Sequence, residues 1–218
     1  MKDLFNAIDR KYDFLNHLFS LCLDYHWRKV MVEELLPLGG KTVLDLATGT
    51  GDSARELVRR GFFVVGLDPS VNMVAHARDK IREDNYVPLL GSGYMLPFRD
   101  GVFDGVTCAF GIRNMHETGA ALREILRVLK TGGKAVFLEF SMPAGLIRTP
   151  YKLYLRYVIP AVASLVSRRE AYEYLGASIQ GFHLPGEFCR LILDAGFHSC
   201  EMKPLSLGLV HIHKGLKD

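Results

Sequence analysis

Cysteine is scarce in this chain and dispersed where it occurs. Cys22, Cys108, Cys189 and Cys200 form no CxxC pair, which excludes a zinc ribbon or a redox dithiol motif and leaves the expectation of reduced, mostly buried thiols. No uninterrupted apolar run approaches the ~20 residues that a spanning helix needs, so membrane contact is expected to be peripheral at most. One-sided charge is missing too. The 27 Lys and Arg against 24 Asp and Glu leave a net charge of +3, too little to argue for a nucleic-acid partner. The opening MKDLFNAIDRKYDF lacks the continuous apolar h-region of a secretory signal. A cytoplasmic location is therefore expected, with the inner membrane face as the place of any peripheral contact. Repeats, low-complexity tracts and long linkers are absent, and 218 residues fit a single α/β domain over 1–218.

What is present is a glycine turn between acidic residues. Val43-Leu-Asp-Leu-Ala-Thr-Gly-Thr-Gly-Asp52 reads as a buried strand that breaks into a turn before a helix. Gly49 and Gly51 carry no Cβ, so the backbone can turn left-handed and approach a ligand, and the following helix offers unpaired N–H groups. Gly49, Gly51 and Ala54 also satisfy the GxGxx(G/A) dinucleotide fingerprint, so a nicotinamide dinucleotide competes with S-adenosylmethionine as the ligand. Charge sign favours the methyl donor. Asp45 and Asp52 would repel a pyrophosphate but attract a sulfonium and an ammonium.

Around this turn the pattern alternates short apolar runs with amphipathic stretches. Strands are predicted at 42–47, 62–67, 87–91, 103–110 and 134–140, with helices at 52–60, 70–82 and 117–130. That alternation predicts a doubly wound, mostly parallel sheet. Residues 1–40 are predicted to form a helical N-terminal extension and 144–182 a helical insertion or lid. A helix at 186–195 precedes strands near 199–205 and 208–213, whose short link through Gly208 makes the last strand antiparallel.

Ligands of such sheets sit beyond the carboxyl ends of the strands. Asp68 ends the second strand, where a carboxylate can accept from both ribose hydroxyls; it also fits a helix N-cap before Pro69. Gly91-Ser92-Gly93 ends the third, where it can hold an adenine or simply turn the chain. Ala109-Phe-Gly-Ile-Arg113-Asn114 ends the fourth and sets an arginine and an amide where a substrate would meet the donor, although Arg113 could merely pair with Glu117 or Asp104.

Taken together, Leu-Asp-Leu-Ala-Thr-Gly-Thr-Gly-Asp, Phe-Gly-Ile-Arg-Asn, Arg-Val-Leu-Lys-Thr-Gly-Gly and Leu-Glu-Phe-Ser-Met-Pro resemble the ubiquinone/menaquinone biosynthesis C-methyltransferase family. The resemblance runs from Lys11-Tyr12-Asp13-Phe14-Leu15-Asn16 and Trp27-Arg28 through Tyr172-Glu173-Tyr174-Leu175-Gly176-Ala177-Ser178-Ile179 to Gly208-Leu209-Val210. It implies a class I S-adenosylmethionine-dependent methyltransferase fold with a seven-stranded sheet, and transfer of a methyl group to a ring carbon of a prenylated quinol. It places cofactor contacts on Thr50, Asp68, Ser92, Gly93 and Ala109, beside Asp45, Gly49 and Gly51 of the turn. The chain departs from the family pattern at Thr48, where glycine is usual, at Ser92-Gly93, at Cys22 and at Thr131.

For chemistry, Arg113 is expected to stabilise a quinol phenolate while a water or a carboxylate takes the proton, Asn114 to orient that water, and Tyr12 to bond the ring oxygen; His116 is a further candidate base. No metal site is expected. Residues 146–169 interleave arginines and a lysine with tyrosines and aliphatics, as suits a helix at an anionic lipid surface or a lid whose cations reach water. No residue pattern selects an oligomeric state; a homodimer is compatible with the chain.

Overall fold

The computed structural model describes residues 17–164 and 169–218, and their side chains outside 162–173. Tyr12 and the rest of the predicted N-terminal segment before His17 lie outside the described residues. Helix α1 (Leu23–Leu35) precedes β1 (Thr42–Leu46), α2 (Asp52–Arg59), β2 (Phe63–Asp68), α3 (Val71–Lys80) and β3 (Tyr86–Leu90). Then come β4 (Phe103–Ala109), a 3₁₀ turn at Ile112–Asn114, α4 (Thr118–Val128) and β5 (Leu129–Phe140). The insertion holds α5 (Arg148–Leu153), a π-turn (Tyr154–Val158), α6 (Ile159–Ser164) and α7 (Arg169–Gly181). Helix α8 (Pro185–Asp194), β6 (Ser199–Leu205) and β7 (Val210–Leu216) complete it.

The strands form one sheet of order β3-β2-β1-β4-β5-β7-β6. β1 to β5 pair in parallel, while β7 runs antiparallel between β5 and β6. The predicted antiparallel last strand is present, shifted to Val210–Leu216 because a 3₁₀ turn takes Ser206–Gly208. Chain order reverses between β1 and β4, and that switch point opens the crevice in which a ligand is expected.

Alternation along the strands divides the core in two. Leu44, Leu46, Phe137 and Cys108 pack under α4 and α8 with Leu122, Ile125 and Phe188. Val43, Val64, Val136 and Leu138 point the other way, to Trp27, Met31 and Leu35 of α1 and Leu57 of α2. Each such fully buried side chain contributes about 1.5–3 kcal/mol, and the two layers hold the strand ends rigid beneath the crevice. The helical insertion has its own small core of Leu155, Ile159 and Ile179. From Arg148 to Ser164 the chain stays helical but widens into the π-turn just before Pro160, which has no N–H with which to bond the previous turn.

The expectation of reduced cysteines is corrected in part. Cys189 of α8 and Cys200 of β6 form a disulfide with Cα atoms 5.7 Å apart, while Cys108 is a buried thiol and Cys22 an exposed one. Helix α8 packs along β6 and brings together residues whose spacing carries no motif.

Candidate active site

The ends of β1, β2 and β4 open onto a cavity of about 640 Å³, within the ordinary size of small-molecule sites. One half is polar, built from the turn after β1, the Asp68-Pro69-Ser70 corner and Ser92-Gly93. The other is aromatic and aliphatic, walled by Phe110, Phe140 and the insertion's Tyr151, Tyr154, Leu155 and Ile179.

The turn gives its two glycines different tasks. Gly49 stands at φ +56° with nothing within 4 Å of a would-be Cβ, so its backbone faces open space. Gly51 does not line the cavity; at φ +89° it packs against Ile81, 2.9 Å from a would-be Cβ. Asp45 is also placed differently from the expectation of a ligand contact. It lies under the turn at 1% exposure and accepts from Thr48 Oγ1 and Thr107 Oγ1, each at 2.7 Å. Burial, opposed by these two hydroxyls, pushes its pKa up to about 6. The departure at Thr48 thus supplies a donor to the buried carboxylate. Its Oγ1 would lie 3.0 Å from a Cβ on Gly66, so the absent side chain there leaves it room.

Asp68 stands at the cavity edge and accepts from the N–H groups of Gly49 (3.0 Å) and Ser70 (2.9 Å). It is not the helix cap: Ser70 caps α3 through Met73 N–H. Burial raises the Asp68 pKa against those two bonds. Each carboxylate oxygen still has a lone pair for a hydroxyl. Thr50 and Ala109 line the cavity beside Ser92 and Gly93. Lys80 donates to Asp52 (2.8 Å) and to Thr50 Oγ1 (3.2 Å). Burial disfavours the Asp52 carboxylate, yet Arg28 and Lys80 outweigh it and hold the pKa below the ordinary value.

Sequence reasoning missed the contribution of α1. Asp24, Trp27 and Arg28 lie on one helical face and line the cavity. Asp24 accepts from Ser20 (2.8 Å) and pairs with His17 (2.9 Å), and Arg28 donates to Ser53 (2.7 Å).

Arg113 and Asn114 line the aromatic half, but not as isolated groups. Arg113 Nη1 donates to Glu139 at 2.5 Å and to the Phe110 carbonyl at 2.7 Å, rather than pairing with Glu117 or Asp104. The side chains of this ion pair are 7% and 1% exposed. Burial raises the Glu139 pKa, opposed by Arg113 and by two backbone N–H bonds. Glu139 did carry a signal: a carboxylate inside Ala-Val-Phe-Leu-Glu-Phe, where a strand buried on both faces should be apolar. Phe110, at φ +58°, turns the chain beyond β4. Gly111 lets that turn close, because a Cβ there would lie 2.5 Å from Ala47 Cβ. His116 is exposed at the rim.

A family model described as the ubiE/COQ5 methyltransferase family matches residues 1–217. The chain belongs to that family. It is 40% identical over 225 residues to the ubiquinone/menaquinone biosynthesis C-methyltransferase UbiE of Geobacter sulfurreducens, covering 100% of this chain and 88% of that one. It is 39% identical to a demethylmenaquinone methyltransferase of Clavibacter sepedonicus, covering 98% of this chain and 89% of the other. Among solved structures, an S-adenosylmethionine-dependent methyltransferase of Thermotoga maritima superposes with a TM-score of 0.71 at 21% identity, over 99% of each chain. Phosphoethanolamine N-methyltransferase 2 of Haemonchus contortus, solved with S-adenosyl-L-methionine, gives 0.66 at 16%, over 88% of this chain and 52% of that one. These two likenesses show the fold.

As a ubiE/COQ5 member the protein is an S-adenosylmethionine-dependent methyltransferase. The alternative left open by the glycine turn is thereby decided for the methyl donor. The polar half of the cavity fits that donor. Asp68 offers acceptors to a hydroxylated ligand and Gly49 leaves backbone open, while Asp24 and Asp52 line the same half paired with His17, Arg28 and Lys80. Among the described residues no helix is long and apolar enough to cross a membrane.

Proposed function

We propose that the protein methylates a ring carbon of a prenylated quinol, with the donor in the polar half of the cavity and the quinol in the aromatic half. The observation that carries this reading is the buried Arg113–Glu139 pair, whose arginine lines the aromatic half of the cavity in company with tyrosines and aliphatic side chains. Thr50, Asp68, Ser92, Gly93 and Ala109 hold the cofactor, which supplies a methyl group already activated on a positively charged sulfur.

The residues of the chain then have to orient the ring and make its carbon nucleophilic. Holding two reactants aligned is worth up to about 7–11 kcal/mol in favourable cases. A phenol of ordinary pKa ~10 is protonated at neutral pH. A bare cation at ~4 Å and an effective dielectric of ~20 would favour its phenolate by about 4 kcal/mol. Glu139 cancels part of that field, so Arg113 works chiefly as a fixed hydrogen-bond donor to the ring oxygen. Arginine cannot accept the proton, and Glu139 already accepts three N–H bonds. A water beside Asn114 relays it outward to the solvent, and Tyr12 adds a bond to the ring oxygen.

Residues 146–158 support delivery from a membrane face. Leu146, Leu153, Tyr157 and Val158 are exposed among Arg148, Lys152 and Arg156, while Leu155 and Ile159 point inward to the cavity. That outer face suits an anionic lipid surface. Vesicle co-sedimentation should rise with anionic lipid content, and binding indifferent to it removes the interfacial reading.

A radiolabelled-methyl assay with demethylmenaquinol and a polyprenyl-benzoquinol, both kept reduced, tests the substrate. Label on a ring carbon of either supports the proposal. Transfer to neither overturns it.

A further inference from the structure

The segment Tyr174-Leu-Gly-Ala-Ser178-Ile179 packs its polar groups onto the same two residues that face the quinol. Tyr174 Oη donates to Asn114 Oδ1 at 3.1 Å, and Arg113 Nε donates to Ser178 Oγ at 3.3 Å. Tyr174 and Ser178 stand four residues apart on α7, hence on one face of it. Donor directions agree along both contacts. Ser178 spends its own hydrogen on the Leu175 carbonyl (2.9 Å), which leaves a lone pair for Arg113. The Asn114 amide NH₂ reaches the Phe110 carbonyl at 3.5 Å, which leaves Oδ1 to accept from Tyr174. Behind α7, Gly176 rests on the π-turn: a Cβ there would lie 3.0 Å from the Leu155 carbonyl oxygen. The helix is thus wedged between the insertion's own backbone and the 112–114 turn, and its register fixes where both hydrogen bonds fall.

From this we infer that Tyr174 and Ser178 are positioning residues that act through Asn114 and Arg113. The insertion is then part of the catalytic apparatus as well as a wall of the cavity. When α7 is seated, Arg113 is held from three sides, by Glu139, by the Phe110 carbonyl and by Ser178, so its direction toward the ring oxygen is set before the quinol arrives. When α7 lifts, the Ser178 and Tyr174 bonds break together, and arginine and amide lose their orientation at once. This coupling would tie methyl transfer to closure over the substrate. It rests on the proposed role of Arg113 and Asn114 toward the quinol.

The test compares full-length Tyr174→Phe, Ser178→Ala, Ser178→Thr and Arg113→Ala proteins and the Ser178→Ala/Arg113→Ala double variant, each confirmed folded by its melting curve. Turnover at saturating quinol and affinity for S-adenosylhomocysteine are both measured. Tyr174→Phe and Ser178→Ala should each lower kcat by about fivefold to tenfold, the loss expected for one hydrogen bond, with S-adenosylhomocysteine affinity unchanged. Ser178→Thr should restore kcat, and Ser178→Ala should add nothing to Arg113→Ala if it acts through that arginine. Unchanged kcat in both single variants, with Arg113→Ala impaired, overturns the inference alone. So do losses by Ser178→Ala and Arg113→Ala that simply multiply. Full activity in Arg113→Ala overturns the underlying reading, and this inference with it.

Discussion

Removing either partner of the Arg113–Glu139 pair should destabilise the protein, but with opposite responses to pH. Both side chains are almost fully enclosed, at 7% and 1% exposure. Deleting one leaves the other as an uncompensated buried group, at a cost of about 3–5 kcal/mol. For a chain of this length that lowers Tm by about 6–20 °C. In Glu139→Ala the guanidinium stays charged at every working pH, while the parent loses stability as its Glu139 ionises, so the deficit relative to the parent should narrow from pH 5 to pH 8. In Arg113→Ala the carboxyl can escape by taking a proton. Burial already holds the Glu139 pKa above its ordinary 4.5 while Arg113 opposes it, so losing the cation raises it further. A carboxyl whose folded pKa exceeds its unfolded one costs stability when ionised, and that cost fades as pH falls toward the unfolded value. The Arg113→Ala deficit should therefore be largest at pH 8 and shrink toward pH 5. Melting curves of the three proteins across this range decide it. Parallel deficits in the two variants, or a Glu139→Ala protein that melts with the parent, would refute the reasoning.

The same sign applies to Asp45. Its rise from 3.8 to about 6 corresponds to about 3 kcal/mol lost when it is ionised, so Asp45→Asn should be more stable than the parent at pH 8 by up to that amount. The gain should vanish toward pH 4, and one that grows on acidification would contradict the burial argument. Gly111→Ala sets a Cβ 2.5 Å from Ala47 Cβ; we expect a loss of about 1–3 kcal/mol in thermal unfolding from overpacking, and a neutral result would show that the turn can shift. Asp68→Ala removes the acceptor of the Gly49 and Ser70 N–H groups as well as the proposed ribose partner. Calorimetry should find S-adenosylhomocysteine bound about tenfold to a hundredfold more weakly, and affinity within threefold of the parent would exclude the ribose role.

Much of the site was legible because strand ends announce themselves. Apolar runs that stop at Asp68, Ser92 or Ala109 place those residues on the cavity whatever the details of packing. Asp45 and Gly51 were harder to place. Both belong to the same turn, yet one lies beneath it, bonded to Thr107 of the neighbouring strand, and the other packs on Ile81. A local motif does not tell which side of a turn faces the ligand. Likewise Cys189 and Cys200 carry no spacing signal, and meet only because α8 lies along β6.

By itself the sequence determined the layered α/β architecture, the strand ends and the family, because periodicity and glycine placement are local properties that survive without knowledge of neighbours. The tertiary structure decided which charges face one another. Arg113 finds Glu139 across 26 residues and Ser178 across 65, and α1 brings Asp24 and Arg28 to a cavity built mostly from later strands. In a low-dielectric interior such partners determine what a charged side chain can do, and partnership at that separation is a product of packing.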